Sequence, residues 1–225
     1  MTSTTPETAT ESIIQGLREL PTATISDALD RLGIVGQCLG IAPLDPRFRL
    51  VGRAFTLRYR PTGLVDRGNV GDYIDDVPPG DIVCLDNAGR LDATVWGDIL
   101  TAVSARRGVG GTVIHGVCRD VQRALDLNYP IFSRGRYMRT GKDRVEVESQ
   151  GQPISLGEIQ VRQGDILVGD ADGLLVIPRV RETEVFETAR EIEDAEQAIE
   201  RETAKGIRLD DARKTFRYHQ LQTRA

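Results

Sequence analysis

The chain has 225 residues, of which 40% are hydrophobic and 28% are charged, and its mass is 24.8 kDa. These proportions are typical of a globular protein and exclude a fibrous or largely disordered chain, and the length suits one compact domain with an appendage. A formal net charge of −5 and a pI near 5.2 argue against a general nucleic-acid-binding protein, which normally presents a basic face. We therefore expect no nucleic-acid partner.

The few cysteines and histidines argue against two further kinds of site. Cys38, Cys84 and Cys118 have no paired spacing, and His115 and His219 are the only histidines, which argues against a disulfide scaffold and against a zinc site. Cys118 ends a predicted buried strand, so we interpret it as a small core residue. No apolar run approaches the roughly 20 residues that span a bilayer, and the N-terminus lacks a signal-peptide pattern. The sequence predicts a cytoplasmic protein with no membrane partner.

The N-terminal part of the chain predicts a flexible segment followed by two helices. Met1 to Thr10 is rich in Thr, Ser and Glu, which predicts flexibility. Apolar residues at helical spacing predict a helix over Glu11–Leu20. Ser26 is a good N-cap for a second helix over Asp27–Leu32, which Gly33 would end.

Two strands precede the most informative stretch. Alternating side chains predict a strand over Arg53–Tyr59 with one exposed face, followed by a polar loop and a short helix within residues 62–79. Ile82–Leu85 predicts a short buried strand. Asn87 to Gly89 would then lie at its carboxyl end, where it would line a pocket.

The stretch from Trp96 to Asp120 predicts a helix, a glycine turn and a strand. The helix begins near Asp98 and Gly108 ends it, and Thr112 to Ile114 is a β-branched run typical of a buried strand. This strand delivers Arg119 and Asp120 at its carboxyl end, where ligand sites of α/β proteins gather. The spacing predicts that one helix face consists of Ile99, Ala102, Val103 and Arg106.

Three charged residues in this stretch have complementary chemistry. The amides of Ile99 and Leu100, which follow Asp98 at the helix start, lack intrahelical acceptors and can bind an anion. Arg119 offers a two-pronged contact to the same carboxylate. Asp120 is a hard oxygen ligand suited to Mg²⁺ or Mn²⁺, which keeps several waters and takes one or two protein carboxylates. The residues predict a divalent metal beside a small organic acid.

Each of these residues also has a purely structural interpretation. Asp98 could be only an N-cap, Arg119 only an ion-pair partner of Asp120, and Asp120 only a cap for the helix that begins at Val121. Their joint spacing favours the functional interpretation.

The spacing of Asp98, twenty further residues and then Arg119-Asp120 resembles the signature of the RraA-like family. That family contains the 4-hydroxy-4-methyl-2-oxoglutarate / 4-carboxy-4-hydroxy-2-oxoadipate aldolases and the regulators of ribonuclease E activity. Residues 22–33, 78–89, 130–135 and 164–178 also resemble family segments, in the same order. The resemblance implies an α/β fold, a swivelling β/β/α sandwich over residues 11–180 with a C-terminal helical extension over 181–225. It also implies a homotrimer or homohexamer in which the extension lies between subunits.

The same resemblance implies a role for each matching residue. Asp120 would contact the divalent metal directly and Asp98 would hold a metal-bound water. Arg119 would bind the pyruvyl group, together with the amides of Ile99 and Leu100. A carboxy-terminal acid of a neighbouring subunit would complete the site; Glu196 is our assignment, and Glu193 and Glu200 are alternatives.

The function implied is that of a divalent-metal-dependent, class II aldolase. It would cleave a 4-hydroxy-2-oxo acid to pyruvate through a metal-stabilised enolate, and oxaloacetate decarboxylation passes through the same enolate. No Schiff-base lysine is expected, and the proton acceptor is left open, with a water held by Asp98 as a hypothesis. The alternative is a non-catalytic oligomeric regulator that binds a ribonuclease. Many relatives carry an acid where this chain has Arg123, which leaves the substrate open.

The last third of the chain is first basic and then helical. The basic residues 133–163 predict solvated hairpins. In the alternative interpretation, one arginine among them binds a second substrate carboxylate. The turns at 164–165 and 172–173 bound two further strands. A long charged helix over residues 181–205 ends at Gly206, before a final helix over Leu209–Tyr218. Its apolar stripe consists of Val185, Ala189, Ile192 and Ile199.

Overall fold

The computed structural model describes residues 6–63 and 68–218, which form two compact units. One unit combines residues 6–36 with residues 180–218, and the other comprises residues 37–63 and 68–179. The helices are α1 (Pro6–Leu17), α2 (Thr22–Arg31), α3 (Asp98–Arg107), α4 (Val121–Asp126), α5 (Glu182–Ala204) and α6 (Leu209–Thr215), with short 3-10 helices at Asp72–Asp76 and Arg179–Arg181. The strands are β1 (Ala42–Pro43), β2 (Leu50–Pro61), β3 (Ile82–Thr94), β4 (Gly111–Cys118), β5 (Ile131–Arg136), β6 (Val145–Gln150), β7 (Ile154–Leu156), β8 (Ile159–Val161), β9 (Ile166–Asp170) and β10 (Gly173–Ile177).

The first unit consists of helices that pack around α5. The predicted apolar stripe of α5 is confirmed, because all four of its residues are buried. α1 approaches α5 closely at Gly16, where a Cβ atom would lie 2.4 Å from the ring of Phe186. An ion pair of 2.7 Å joins Arg31 of α2 to Glu191 of α5. Packing of this amphipathic face, more than local propensity, stabilises the helices.

Both N-terminal helices begin earlier than the sequence predicts. α1 begins at Pro6, so the second half of the predicted flexible segment is helical, and residues 1–5 lie outside the described residues. α2 begins directly after Pro21, whose carbonyl accepts the Ile25 N–H at 3.2 Å. Ser26 therefore lies within the helix, and its predicted role as an N-cap is wrong. Gly33, at φ +66, follows the end of α2 as predicted.

The N-terminal helices pack with the C-terminal ones. By their contacts, residues 11–36 group with the C-terminal helices, and the domain boundaries at 11–180 and 181–225 stay a prediction. The physical reason is that the buried face of α2 packs against α5, far along the chain. A contact of the C-terminal extension with a neighbouring subunit stays a prediction.

The second unit is built on an eight-stranded mixed sheet in the order β1-β5-β4-β3-β2-β9-β10, with β6 also paired to β2. The four central strands β2, β3, β4 and β5 are parallel, and the flanking pairs are antiparallel. α3 connects β3 to β4, and α4 connects β4 to β5. This arrangement places the carboxyl ends of β3 and β4 beside the starts of α3 and α4.

Each face of this sheet carries its own apolar core. One core contains Leu57, Leu85 and Ile114 and includes residues of α3 and α4. The other contains Ala54 and Val113 and packs beneath the small β7–β8 hairpin. A β/β/α layering results, and the predicted α/β fold class with C-terminal helices is confirmed.

Two strand predictions need correction. β2 is longer than predicted, and from Leu50 to Leu57 neither face is exposed, because layers cover both faces and neighbours pair with both edges. β3 continues past Leu85 to Thr94 with a register shift after Asp86. Asn87 is buried, and its side-chain amide donates to the Ala93 carbonyl at 3.1 Å, so it lies within a bulged strand and not after the end of that strand. Across residues 6–63 and 68–218, the structure contains no helix with the length and apolar character needed to cross a bilayer.

Candidate active site

The start of α3 is fixed by a buried tryptophan. Trp96 is 2% exposed, and its ring stacks on Tyr129 with 6.2 Å between centroids. Its indole N–H donates to Thr101 Oγ1 at 2.9 Å, and the Thr101 hydroxyl donates to the Gly97 carbonyl at 2.8 Å. These bonds hold the first turn of α3 against the sheet, so Asp98 begins the helix at a defined place.

The buried face of α3 is not the predicted one. Ile99 is 74% exposed, and the fully buried residues of the helix are Thr101 and Ser104. The hydroxyl of Thr101 is paired within the Trp96 anchor, which removes the cost of burying it. The prediction that α3 buries the face that contains Ile99 is therefore wrong.

The end of β4 brings Arg119 and Asp120 to the same place. The Arg119 N–H donates to the Trp96 carbonyl at 3.1 Å. Asp120 has left-handed backbone angles (φ 57, ψ 38) and precedes α4, but its side chain makes no capping hydrogen bond to that helix. Its Oδ2 instead accepts the Asp98 N–H at 3.1 Å and lies 3.3 Å from Arg119 Nε. The structure thus brings all three predicted site residues together. Asp120 is the N-cap residue of α4, but its side chain bonds to the Asp98 amide and not to that helix.

Gly97 makes this close approach possible, and the sequence analysis missed it. A Cβ atom at Gly97 would lie 2.8 Å from Asp120 Oδ2 and 3.3 Å from Arg119 Nε. Any larger residue would displace the carboxylate. The signal in the sequence that could have indicated it is a glycine immediately before Asp98, where the helix begins. Gly97 is the N-cap residue of α3 and has an extended backbone, so the close contact, and not an unusual backbone angle, favours glycine there.

The predicted pair of free amides is partly occupied. Asp98 Oδ1 accepts the N–H of Ile99 at 2.9 Å, so that amide is paired with the adjacent side chain. Leu100 also lies in the first turn of α3, where backbone N–H groups have no acceptor within the helix. The positive end of the helix therefore remains directed at this region.

Two cavities flank Arg119. The first has a volume of about 180 Å³, and its wall includes Asp98, Ile99, Leu100 and Arg119. The second has a volume of about 280 Å³ and is lined by Arg119, Asp120, Val121, Arg136, Tyr137 and Met138. Arg119 lines both cavities, while Asp98 lines only the first and Asp120 only the second. An organic acid bound at Arg119 would therefore lie near Asp98 in the first cavity or near Asp120 in the second.

The Asp98 and Asp120 carboxylates fit a divalent metal that keeps several water ligands better than a metal enclosed by protein ligands alone. Within the described residues, no group of three or more His, Cys, Asp or Glu side chains could hold a metal ion. Asp120 uses Oδ2 for the Asp98 amide and Asp98 uses Oδ1 for the Ile99 amide, so one oxygen of each carboxylate has no hydrogen bond to the described residues. Mg²⁺ accepts such a set, because it takes one or two carboxylates and keeps several waters.

The predicted C-terminal acids lie on α5, next to α2. Thr24 Oγ1 donates to Glu193 at 3.1 Å and to Glu196 at 3.4 Å, and the Tyr218 hydroxyl lies 3.5 Å from Glu196. Burial, followed by the negative charges of Asp27 and Glu193, raises the pKa of Glu196. Delivery of this carboxylate to a neighbouring subunit's site stays a prediction.

The remaining predicted residues are placed as follows. Glu200 is exposed on α5, and Arg123 is exposed on α4 and lines neither cavity. Cys118 is fully buried, and burial raises the pKa of its thiol to about 11, which confirms its interpretation as a core residue. In the basic stretch, Arg136 lines the second cavity and Lys142 lines the first.

Comparisons with known proteins identify the family of this chain. The family model RraA-like, described as Aldolase/RraA, matches residues 22–176. Protein DlpA of Legionella pneumophila is 39% identical over 93% of this chain, although the chain spans only 34% of that relative's length. A putative 4-hydroxy-4-methyl-2-oxoglutarate aldolase of Halalkalibacterium halodurans is 32% identical over 86% of this chain and 90% of its own length.

A solved structure is similar to this chain over most of its length. The crystal structure of an uncharacterized protein from Pseudomonas syringae pv. tomato is 40% identical, with a TM-score of 0.84. The similarity covers 90% of this chain and 97% of that one. Since the family model also matches more than half of the sequence, the chain belongs to the RraA-like family.

Proposed function

We propose that this protein is a divalent-metal-dependent lyase that cleaves a 4-hydroxy-2-oxo acid to pyruvate and also decarboxylates oxaloacetate. The observation that carries the proposal is the hydrogen bond from the Asp98 amide to the Asp120 carboxylate, beside Arg119 and between two cavities. It joins residues from two different strand-to-helix connections at one point. The name of the Halalkalibacterium relative, a putative 4-hydroxy-4-methyl-2-oxoglutarate aldolase, supports the substrate class.

Arg119 is the group that binds the pyruvyl end of the substrate. The Arg119 side chain is 40% exposed and Arg119 lines both cavities, so it is accessible to a ligand from either one. A planar guanidinium binds a carboxylate through two parallel hydrogen bonds, which fixes both position and orientation. The first turn of α3 adds the positive end of a helix dipole beside the same group.

Asp120 and Asp98 are the residues that would hold Mg²⁺ or Mn²⁺. When bound, the metal supplies positive charge where negative charge develops on the 2-oxo oxygen as the carbon–carbon bond breaks. The chain's own contribution is to fix the carboxylates: Asp120 is held by the Asp98 amide and by Arg119, and Asp98 is held by the Ile99 amide. Such support from neighbouring groups typically changes metal affinity or activity by about 10- to 100-fold.

The decisive experiment is release of pyruvate from 4-hydroxy-4-methyl-2-oxoglutarate and from oxaloacetate, measured with Mg²⁺, with Mn²⁺ and with a chelator. We expect metal-dependent release from both acids. Asp120→Asn should abolish it, whereas Asp194→Asn, which makes the same change at an exposed acid on α5, should retain it.

Two results would refute the proposal. Release that persists in chelator and is lost after borohydride treatment would indicate a Schiff-base lysine in place of a metal. A correctly folded wild-type protein that releases no pyruvate from either acid would favour the regulator role, in which the chain acts by binding another protein.

A further inference from the structure

A histidine and an aspartate pair with each other on the face of the sheet that the β7–β8 hairpin covers. His115 of β4 lies opposite Asp86 of β3 in the parallel register, and His115 Nδ1 lies 3.3 Å from Asp86 Oδ1. Both side chains are mostly buried, at 15% and 10% exposed. Neither residue lines the two cavities beside Arg119, so the proposed function leaves this pair unexplained.

Asp86 fixes which nitrogen of His115 carries the proton. Its Oδ1 also accepts the Ala88 N–H at 3.0 Å, and its Oδ2 accepts the Ser155 N–H of β7 at 3.1 Å. Burial alone would raise the pKa of Asp86, but the hydrogen bonds from His115, Ser155 and Ala88 lower it below its ordinary 3.8. An ionised carboxylate only accepts hydrogen bonds, so His115 Nδ1 donates, and the lone pair of the neutral ring is at Nε2.

The Nε2 atom of His115 faces a space beside Gly89. A Cβ atom at Gly89 would lie 3.0 Å from His115 Nε2 and 2.6 Å from Arg134 Nη1, so the two nitrogens approach the same point. Gly89 has φ +67, which glycine adopts without strain, and its lack of a side chain keeps this space open. The preceding Ala88 is left-handed as well (φ 52), and non-glycine residues in this conformation cluster at ligand sites.

The two nitrogen-bearing groups have hydrogen-bonding capacity that the described residues leave unused. His115 Nε2 makes no hydrogen bond to residues 6–63 or 68–218. Arg134 is exposed and donates from Nη1 to the Gly89 carbonyl at 3.2 Å. In the same part of the chain, its other N–H groups have no acceptor and no acidic side chain pairs with it. A cation therefore lies beside a hydrogen-bond acceptor at this edge of β3 and β4.

A cation beside an acceptor matches an anion that also carries a hydroxyl group. A guanidinium binds a carboxylate through two parallel hydrogen bonds. The Nε2 lone pair accepts a hydrogen bond from a hydroxyl group, whereas it offers nothing to a further carboxylate oxygen, which is also an acceptor. We propose that His115 and Arg134 form a second ligand site, which binds a small hydroxy acid. Arg134 binds the carboxylate, His115 Nε2 accepts from the hydroxyl group, and Asp86 keeps the ring in the tautomer that this contact requires.

The test uses lactate and propionate, two probes that differ only in the hydroxyl group. Each is titrated into the full chain at constant ionic strength, and long-range ¹H–¹⁵N NMR follows the imidazole rings and distinguishes their tautomers. His219 is the only other histidine, so a spectrum of His115→Gln assigns the signals. We expect the Nδ1–H tautomer of His115 in the free protein, a saturable shift of its signals with lactate, and binding of propionate that is at least about 10-fold weaker.

Three variants test the role of each residue. Arg134→Met should weaken the lactate binding seen at His115 by about 10- to 100-fold, because it removes a charged hydrogen-bond donor. Arg106→Met, the same change at an exposed arginine of α3, should leave this binding unchanged. Asp86→Asn removes the charge that fixes the tautomer, so the Nε2–H form should appear in the spectrum and lactate binding should weaken.

Four results would overturn the inference. The first is an Nε2–H or doubly protonated ring of His115 in the free protein, which would leave no acceptor for the hydroxyl group. The second is equal affinity for lactate and propionate. The third is lactate binding at His115 that is unchanged in Arg134→Met, and the fourth is a shift that rises linearly with lactate and never saturates. None of these results depends on the proposed lyase function, which the pyruvate assay tests separately.

Discussion

Replacing Gly97 with alanine tests how the site is assembled without removing any charged group. The added Cβ would lie 2.8 Å from Asp120 Oδ2, whereas ordinary van der Waals contact begins at 3.4 Å. The carboxylate must therefore move by about 0.6 Å. The Gly97 backbone is extended (φ −154, ψ −165), a conformation that alanine adopts, so the substitution acts on the Asp120 contact and not on the backbone.

The expected consequence is a large loss of activity with a small loss of stability. Moving Asp120 lengthens its 3.1 Å hydrogen bond from the Asp98 amide and shifts it relative to Arg119. Misplacement of reacting groups by about 1 Å can cost about 100-fold in rate, so we expect kcat/KM to fall about 10- to 100-fold. Because both side chains are more than one-third exposed, the free energy of unfolding should fall by less than about 1 kcal/mol.

The assay combines pyruvate release, titration with Mn²⁺ followed by electron paramagnetic resonance, and thermal unfolding. Gly116→Ala is the matched control, because its Cβ would lie 3.1 Å from Asn87 Cβ and 3.2 Å from the Arg90 carbonyl within the sheet. That variant should lose stability and keep the activity of each folded molecule. If Gly97→Ala retained both wild-type kcat/KM and wild-type Mn²⁺ affinity, the placement of Asp120 in the site would be wrong.

Two further predictions concern stability. Thr101→Val leaves the buried Trp96 indole N–H without an acceptor and should lower the free energy of unfolding by about 1–3 kcal/mol in urea denaturation. Thr101→Ser keeps the hydroxyl and is the control. Equal effects of the two variants would contradict the role of this hydrogen bond in fixing α3. Burial, opposed by the Arg53 charge, raises the pKa of Asp81 from its ordinary 3.8 to about 6. The folded chain therefore binds more protons than the unfolded chain between these pH values, and its stability falls as the pH rises through them. Asp81→Asn should raise the free energy of unfolding at pH 7 by about 1 kcal/mol, less than the full shift implies because the side chain is only half-buried, and should have no such effect at pH 3.5; a gain at both pH values would refute this cause.

Local chemistry made much of the central stretch predictable. Gly108 ends α3 with φ +73, the left-handed conformation that glycine adopts without strain. The β-branched run at residues 112–114 lies within β4, and Arg119-Asp120 follows the end of that strand. These features depend on residues close in sequence, which is why the pattern indicated them. The functional roles of Asp98, Arg119 and Asp120 remain predictions that the proposed assays test.

Contacts between distant residues account for the predictions that were wrong. The apolar spacing of α3 indicated Ile99 as an inward residue, but the Trp96 indole pairs with Thr101 and turns that polar residue inward instead. β2 showed the alternation of a half-exposed strand, yet layers on both faces of the sheet bury it. A periodic pattern specifies the type of an element, but its burial depends on which elements pack against it.

The sequence by itself determined the α/β class, the start of α3 at Asp98 and the position of Arg119 and Asp120 after β4, because these follow from periodicity and from turn chemistry. Only the tertiary structure decided that the Asp98 amide bonds to Asp120, that Gly97 leaves room for this contact and that Lys142 shares a cavity with Arg119. Each of these depends on the distance between residues that are far apart in the chain, and strand register and backbone packing set that distance.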